Sequence, residues 1–141
     1  MIRSLPAEIG QLRELRSLDA YKNELIKTLP AEINGLVSLE YLNMFNCGLT
    51  RCACALPFLL SPGVFSAASL LAVPKQLSEL RELTELNVSD NKLAVLPSLH
   101  HLTKLRRLAA FWNNLVVAPD LSQLSALEVG PSMLTLFLLL P

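Results

Sequence analysis

Leucines three residues apart, followed by a short alternating run and a polar residue, return along this chain at a nearly fixed spacing. The pattern is Leu-x-x-Leu-x-x-Leu-x-apolar-x-x-Asn/Cys-x-Leu, and its copies begin at Leu12, Leu36, Leu80 and Leu102. Repetition in one phase predicts stacked structural units, because a unit of this length cannot bury its apolar side alone. The pattern therefore predicts a solenoid whose function lies on an extended surface.

Around the third leucine of each copy, side chains alternate between apolar and polar, which is the period of a β-strand. Stacked strands of this kind form a parallel sheet along the inner curve. The prolines that follow each copy favour an irregular or 3₁₀ return limb on the convex side, because proline lacks a backbone donor. The predicted strands are Ser17 to Tyr21, Tyr41 to Phe45, Glu85 to Ser89 and Arg107 to Phe111. The leucines expected to be buried between units are Leu15, Leu18, Leu39, Leu42, Leu83, Leu86, Leu105 and Leu108.

One polar position recurs where the chain leaves each strand. It is occupied by Asn23, Cys47, Asn91 and Asn113. An asparagine there can hydrogen-bond backbone groups of its own turn and of the adjacent turn. Cys47 is the exception, and its small thiol tolerates burial but is a weaker hydrogen-bonding group.

These residues resemble the consensus of leucine-rich repeat proteins. The segments Leu5 to Ile9 and Leu29 to Ile33 resemble the intracellular Ras-suppressor and Shoc2-like group, which includes plant Ras-group-related proteins. The segment Leu96 to Leu102 is one residue shorter than the equivalent segments of the other repeats and is more similar to Sds22-like repeats. The resemblance covers Ile2 to Thr50 and Ala72 to Leu127. It implies an α/β fold, a leucine-rich repeat solenoid with a curved parallel sheet on its concave side and a 3₁₀, irregular or short helical convex side. It also implies signalling partners such as small GTPases or phosphatase subunits.

The repeat pattern predicts a leucine-rich repeat domain over residues 1–128 and a non-repeat apolar tail over 129–141. An apolar insertion at 51–71 separates two parts of one repeat, and without it Leu36 and Leu80 are a normal repeat apart. The insertion is expected to bulge from the convex side as a loop or short helix. A membrane span is disfavoured by Pro57, Pro62 and Gly63. A zinc or redox site at Cys52-x-Cys54 lacks further ligands.

Retained introns or a faulty gene model would also explain both non-repeat tracts. Continuous RNA reads through both tracts in cytoplasmic messenger would exclude that explanation. Both ends of the chain stop abruptly within the repeat pattern, so the chain is interpreted as an incomplete piece of a longer solenoid.

Composition narrows the possible functions. Basic and acidic side chains are equal in number, twelve of each, which argues against nucleic-acid binding and against docking to an anionic membrane surface. The odd cysteine count, without a disulfide framework or a signal pattern, favours a reducing, cytoplasmic location. His100 and His101 are adjacent and expected in a solvated turn, and no nucleophile motif or phosphate loop is present. The sequence predicts no enzyme activity, no cofactor and no metal.

The outward face of the sheet is the candidate site. In the column Tyr21, Phe45, Ser89 and Phe111, three positions are aromatic, and Trp112 lies beside it. Exposed aromatic residues beside arginine are typical of binding hot spots. The residues predicted to bind a partner are Asp19, Tyr21, Lys22, Asn43, Phe45, Asn87, Arg107, Phe111 and Trp112.

The sequence thus predicts a protein–protein interaction module for intracellular signalling or scaffolding that binds its partner on the concave face. The alternative is a fragment of a larger repeat-containing receptor or enzyme whose catalytic domain is missing. A third interpretation is a non-functional product of a misread gene.

Overall fold

A computed structural model describes residues 1–50, 75–116 and 118–128, and these residues form a single parallel sheet backed by 3₁₀ helices. The strands are β1 (Ser17–Asp19), β2 (Tyr41–Asn43), β3 (Glu85–Asn87) and β4 (Arg107–Ala109), in the order β1-β2-β3-β4. The 3₁₀ helices span Ala7–Gln11, Ala31–Gly35 and Lys75–Glu79. Each of these helices precedes a strand, so the chain winds as a solenoid with one strand per turn.

The four strands pair with their central leucines in register. Leu18 is aligned with Leu42, Leu42 with Leu86, and Leu86 with Leu108. The sequence-based expectation that β2 and β3 are direct neighbours is therefore confirmed. The predicted insertion at 51–71 and the predicted tail at 129–141 lie outside the described residues, so those boundaries stay predictions.

The strands are shorter than the sequence predicts, at three residues each. The chain turns three residues beyond the end of each strand, where one residue per repeat has a positive φ. These residues are Lys22 (57°), Asn46 (50°), Asp90 (54°) and Trp112 (54°). A left-handed residue ends the extended conformation and turns the backbone toward the convex side.

The core lies between the sheet and the 3₁₀ helices, and it contains the leucines that the repeat phase predicts. Leu39, Leu42, Leu83 and Leu105 are fully buried, and Leu86 and Leu108 are nearly so. The expectation of burial was wrong for Leu15 and Leu18, which are half-buried. Both flank β1, the first strand of the described sheet, and β1 pairs with a strand on one side alone. Burial of these leucines therefore depends on a neighbouring unit and not on the sequence of their own repeat.

The first two 3₁₀ helices approach each other closely at glycines. A Cβ atom built on Gly35 would collide with the carbonyl group of Gly10, and one built on Gly10 would collide with the carbonyl of Glu32. Backbone thus packs against backbone at this point, and no larger residue fits without a shift.

The recurring polar position forms a ladder of side-chain hydrogen bonds inside the solenoid. Asn91 donates to the carbonyl oxygens of Met44 (2.9 Å) and Val88 (2.9 Å), and its Oδ1 accepts from the backbone N–H of Leu49 (2.8 Å). Asn113 repeats this arrangement one turn later, donating to Val88 and Ala110 at 3.0 Å each. The ladder satisfies backbone groups that would otherwise be buried without partners, as the sequence predicts.

Candidate functional site

The outward-pointing side chains of β1 to β4 and of the turns that follow them make up one surface, which we call the sheet face. The strand register places Ser17, Tyr41, Glu85 and Arg107 in one row across it. Within that row, the guanidinium of Arg107 contacts the Glu85 carboxylate at 2.6 Å and the Glu128 carboxylate at 3.8 Å. Arg107 therefore has a carboxylate partner on two sides.

Asp19, Asn43 and Asn87 share a second row, and each has a local structural role. Their side-chain oxygens accept hydrogen bonds from the backbone N–H two residues later, at 3.2, 3.1 and 3.0 Å respectively. Such bonds stabilise the turn that follows the strand. Position 109, the equivalent residue of β4, is an alanine and offers no oxygen. Contact of these three residues with a partner stays a prediction.

The predicted aromatic column, which we call the turn column, is formed by Tyr21, Phe45, Ser89 and Phe111. Backbone bonds link its members to the adjacent turns: Lys22 donates to the carbonyl of Phe45, Asn46 to that of Ser89, and Asp90 to that of Phe111. The residues therefore lie side by side, as the repeat phase predicts.

Exposure varies along the turn column. Tyr21 is 52% exposed, whereas Phe45 and Phe111 are half-buried. The expectation that Ser89 points outward into solvent was wrong, since its accessible surface is zero. Serine is smaller than its neighbours Phe45 and Phe111 in the column, so we attribute its burial to the larger side chains on both sides.

Trp112 extends the turn column at one end. It is 60% exposed, and its ring meets Phe111 edge-to-face with centroids 5.0 Å apart. At the other end, the Lys22 ammonium lies 5.6 Å from the centre of the Tyr21 ring, within cation–π range. The turn column together with Trp112 thus has an exposed aromatic residue at each end, and its middle is half-buried at Phe45 and Phe111 and buried at Ser89.

A groove of about 260 Å³ lies on the sheet face between β2 and the residues after β4. Its polar and aromatic lining consists of Tyr41, Glu85, Asn87, Arg107, Phe111 and Glu128. The sequence-based prediction includes Asn87, Arg107 and Phe111 but misses the carboxylates of Glu85 and Glu128. Repeat phase places Glu85 beside Arg107, and that opposite-charge pair was the available signal. Glu128 carries no such signal, because its repeat breaks off immediately after it.

Three further observations concern the described part of the chain. Among residues 1–50, 75–116 and 118–128, no group of three or more His, Cys, Asp or Glu side chains is arranged to hold a metal ion. Within the same ranges, no helix has both the length and the apolar character needed to cross a membrane. Cys47 is buried, and burial raises the pKa of its thiol.

Comparison with known proteins supports the fold. No protein-family model and no curated protein matches the chain. Among solved structures, a leucine-rich repeat protein of Leptospira interrogans is 27% identical with a TM-score of 0.59, over 89% of this chain and 33% of that one. The functional domain of InlJ from Listeria monocytogenes is 26% identical with a TM-score of 0.59, over 86% of this chain and 21% of that one. The plant peptide hormone receptor RGFR1, solved in complex with RGF2, is 26% identical with a TM-score of 0.50.

The fold is therefore a leucine-rich repeat solenoid. The chain spans about a third of the length of the Leptospira protein and about a fifth of InlJ and RGFR1. These similarities extend to the leucine-rich repeat class and not to its Ras-suppressor, Shoc2-like or Sds22-like subgroups.

Proposed function

We propose that this chain is a protein-recognition module that binds a partner protein on its sheet face. The observation that carries the proposal is the alignment of aromatic and charged side chains along one continuous side of four paired strands. Tyrosine, tryptophan and arginine dominate binding energy at protein interfaces, and Tyr21, Trp112 and Arg107 are all exposed on this side. Because fold alone does not determine function, the proposal rests on this surface and not on the solenoid architecture.

The solved neighbours add support of a general kind. One of them, RGFR1, is a peptide hormone receptor in complex with RGF2. A polypeptide ligand on a leucine-rich repeat structure is consistent with a polypeptide partner here. Our finer proposals are a small GTPase or a phosphatase subunit as partner and a role in signalling or scaffolding, which rest on the sequence resemblance. A cytoplasmic location is also proposed, and it rests on the cysteine content and the N-terminal sequence.

The alternative, a fragment of a larger receptor or enzyme, has its own supporting observation. The chain matches about a third or less of the length of the Leptospira protein, InlJ and RGFR1. In that case, the sheet face is the recognition arm of the larger protein. A full-length transcript that continues the open reading frame beyond this chain would support the alternative.

The test compares four baits, the wild-type chain and three single substitutions, and the captured proteins are identified by mass spectrometry. Phe111→Ala and Trp112→Ala change the sheet face, and His100→Ala changes an exposed residue of the convex turn. We expect a true partner to bind the wild-type chain and His100→Ala but to be lost with either aromatic substitution, because truncation of a hot-spot residue costs about 2 kcal/mol or more.

Each captured protein is then titrated as a purified component against the same four baits. Equal binding to all of them would show that the contact does not involve the sheet face, and the proposal would be wrong. A fall in melting temperature for Phe111→Ala is measured in parallel, so that loss of folding is separated from loss of contact.

A further inference from the structure

Trp112 has a backbone conformation that its side chain disfavours. It has a positive φ of 54°, at a position where the two preceding repeats have Asn46 and Asp90. Asparagine and aspartate tolerate the left-handed region, whereas a bulky residue there is an outlier. Lys22 has this position in the first described repeat, so Trp112 is the aromatic residue among the four described occupants and the bulkiest of them.

The same turn also lacks a stabilising hydrogen bond that the other repeats have. Asp19, Asn43 and Asn87 each accept a backbone N–H bond from the residue two positions later. The equivalent Ala109, two residues before Phe111, has no side-chain acceptor. The turn that carries Phe111 and Trp112 is thus less stabilised than the equivalent turns.

A third unfavourable feature is found at Ser89, the neighbour of Phe111 in the turn column. The hydroxyl oxygen of Ser89 is buried and has no hydrogen-bond partner. Ser89 is beside Phe111, since the next residue, Asp90, donates its N–H to the Phe111 carbonyl at 2.9 Å. Three energetically unfavourable features therefore surround Phe111. Features of this kind cluster at binding sites, where function opposes stability.

The charge of the adjacent groove indicates what binds there. Its charged lining residues are Glu85, Arg107 and Glu128, which leaves one carboxylate uncompensated. The Glu85 and Glu128 carboxylates both face the Arg107 guanidinium, so its single positive charge is outnumbered and an acidic ligand meets a net negative charge. Both carboxylates remain accessible, with side-chain exposures of 37% for Glu85 and 56% for Glu128. Arg106, the residue before Arg107, is exposed but does not line the groove, so it does not offset this negative charge there.

We propose that the groove beside Phe111 takes a partner segment that places a lysine or arginine side chain against Glu85 and Glu128 while apolar atoms pack on Trp112. This inference rests on the proposed protein-recognition function and adds the chemistry of the partner. A basic side chain completes the charge balance of the groove, and its methylene groups or an apolar neighbour cover the exposed indole. Contact with the indole also accounts for a tryptophan at a left-handed position, where asparagine and aspartate are better tolerated than a bulky side chain.

The experiment selects phage-displayed random short peptides on the immobilised full chain and measures the affinity of the enriched peptides by fluorescence anisotropy. We expect lysine or arginine next to an apolar residue in the enriched peptides. Glu128→Gln should weaken their binding about 3- to 10-fold, and added salt should weaken it further, because charge attraction at an accessible site is screened. Glu14→Gln is the matched control, since Glu14 is an exposed carboxylate that does not line the groove.

The possible outcomes separate this inference from the proposed function. If the enriched peptides lose binding with Phe111→Ala but are acidic or uncharged, or are unaffected by Glu128→Gln, the basic-segment inference is wrong and sheet-face recognition stands. If no peptide is enriched, or if binding survives Phe111→Ala, the basic-segment inference is wrong, and the comparison of the affinity baits decides sheet-face recognition separately. Trp112→Asn adds a readout that needs no ligand: it should raise the melting temperature while weakening the peptides at least 10-fold, and an unchanged affinity would overturn the role of the indole.

Discussion

The thiol of Cys47 donates a hydrogen bond to the carbonyl oxygen of Ala20 over 3.0 Å. It does so at the ladder position that asparagine occupies in the other described repeats. Asn91, at the equivalent position one turn later, both donates through its amide nitrogen and accepts from the N–H groups of Cys47 (3.3 Å) and Leu49 (2.8 Å). The sulfur of Cys47 is a much poorer acceptor, so the ladder is weakest at this turn.

Cys47→Asn should therefore stabilise the protein. The amide oxygen restores a strong acceptor to the preceding turn, and we expect a gain of about 1 kcal/mol in the free energy of unfolding. Equilibrium urea unfolding measures the change. Cys47→Ala is the control, because it removes the donor without supplying an acceptor and should destabilise. Similar effects of the two substitutions would contradict a ladder role for position 47.

The Cys47 thiol also predicts a pH dependence of stability. Burial raises the pKa of the thiol above its ordinary value of 9.0. A hydrogen bond with the Asn23 backbone lowers the pKa by a smaller amount, and the negative charge of Asp19 raises it. Above about pH 9 the unfolded chain releases this proton more readily than the folded chain, so stability falls as pH increases. Below pH 9 both states keep the proton and the effect vanishes. The stability advantage of Cys47→Asn over the wild-type chain should thus widen between pH 9 and pH 10.5 in urea unfolding; a constant difference would exclude the linkage.

Asn91→Ala should be among the most damaging single substitutions. Its side chain makes hydrogen bonds to Met44, Val88, Ser89, Cys47 and Leu49, all through backbone groups in a buried setting. Each buried group left without a partner costs about 1–3 kcal/mol, so we expect a total loss above about 3 kcal/mol. Thermal unfolding followed by circular dichroism is the measurement.

Asn113→Ala provides the comparison for that result, because Asn113 occupies the same ladder position but is only half-buried. Its truncation should cost less, since water can reach some of the groups it leaves behind. A larger loss at Asn113 than at Asn91 would show that burial does not control the energy of the ladder.

Gly35→Ala should destabilise the contact between the first two 3₁₀ helices. A Cβ atom there would overlap the Gly10 carbonyl group, so the backbones must separate. Overpacking of this kind typically costs about 1–3 kcal/mol. Gln11→Ala is the matched control, since Gln11 holds the equivalent position in the preceding repeat and is exposed. Equal melting temperatures for Gly35→Ala and Gln11→Ala would mean that the close approach is not required.

Trp112→Asn should stabilise the fold even though it removes a large apolar side chain. The indole is 60% exposed and contributes little burial, whereas asparagine tolerates the positive φ of this turn. We expect a gain of about 1 kcal/mol, seen as a higher melting temperature. Asp90→Asn, at the equivalent position in the preceding repeat, should leave the melting temperature nearly unchanged. A lower melting temperature for Trp112→Asn would show that packing of the indole on Phe111 outweighs the backbone preference.

The sequence by itself determined the solenoid and its register. Leucine spacing identifies the residue of each repeat that must point inward, and a one-residue slip would turn every such side chain to the other face. Leu42 could therefore be paired with Leu86 across 44 positions without any knowledge of the intervening chain. The polar position at Asn91 and Asn113 was also predictable from the repeat, because an amide side chain can hydrogen-bond backbone N–H and C=O groups of its own turn and of the adjacent turn.

Tertiary structure decided how each repeat position is used. Leu18 and Leu42 are equivalent in sequence phase, yet one is half-buried and the other fully buried, because burial depends on the units stacked on either side. The burial of Ser89 follows from its larger neighbours in the turn column. Arg107 forms ion pairs with both Glu85 and Glu128, and these contacts depend on the distances between neighbouring turns of the solenoid. A repeat pattern describes one unit at a time, whereas exposure and charge balance arise between units, and only their stacking determines these properties.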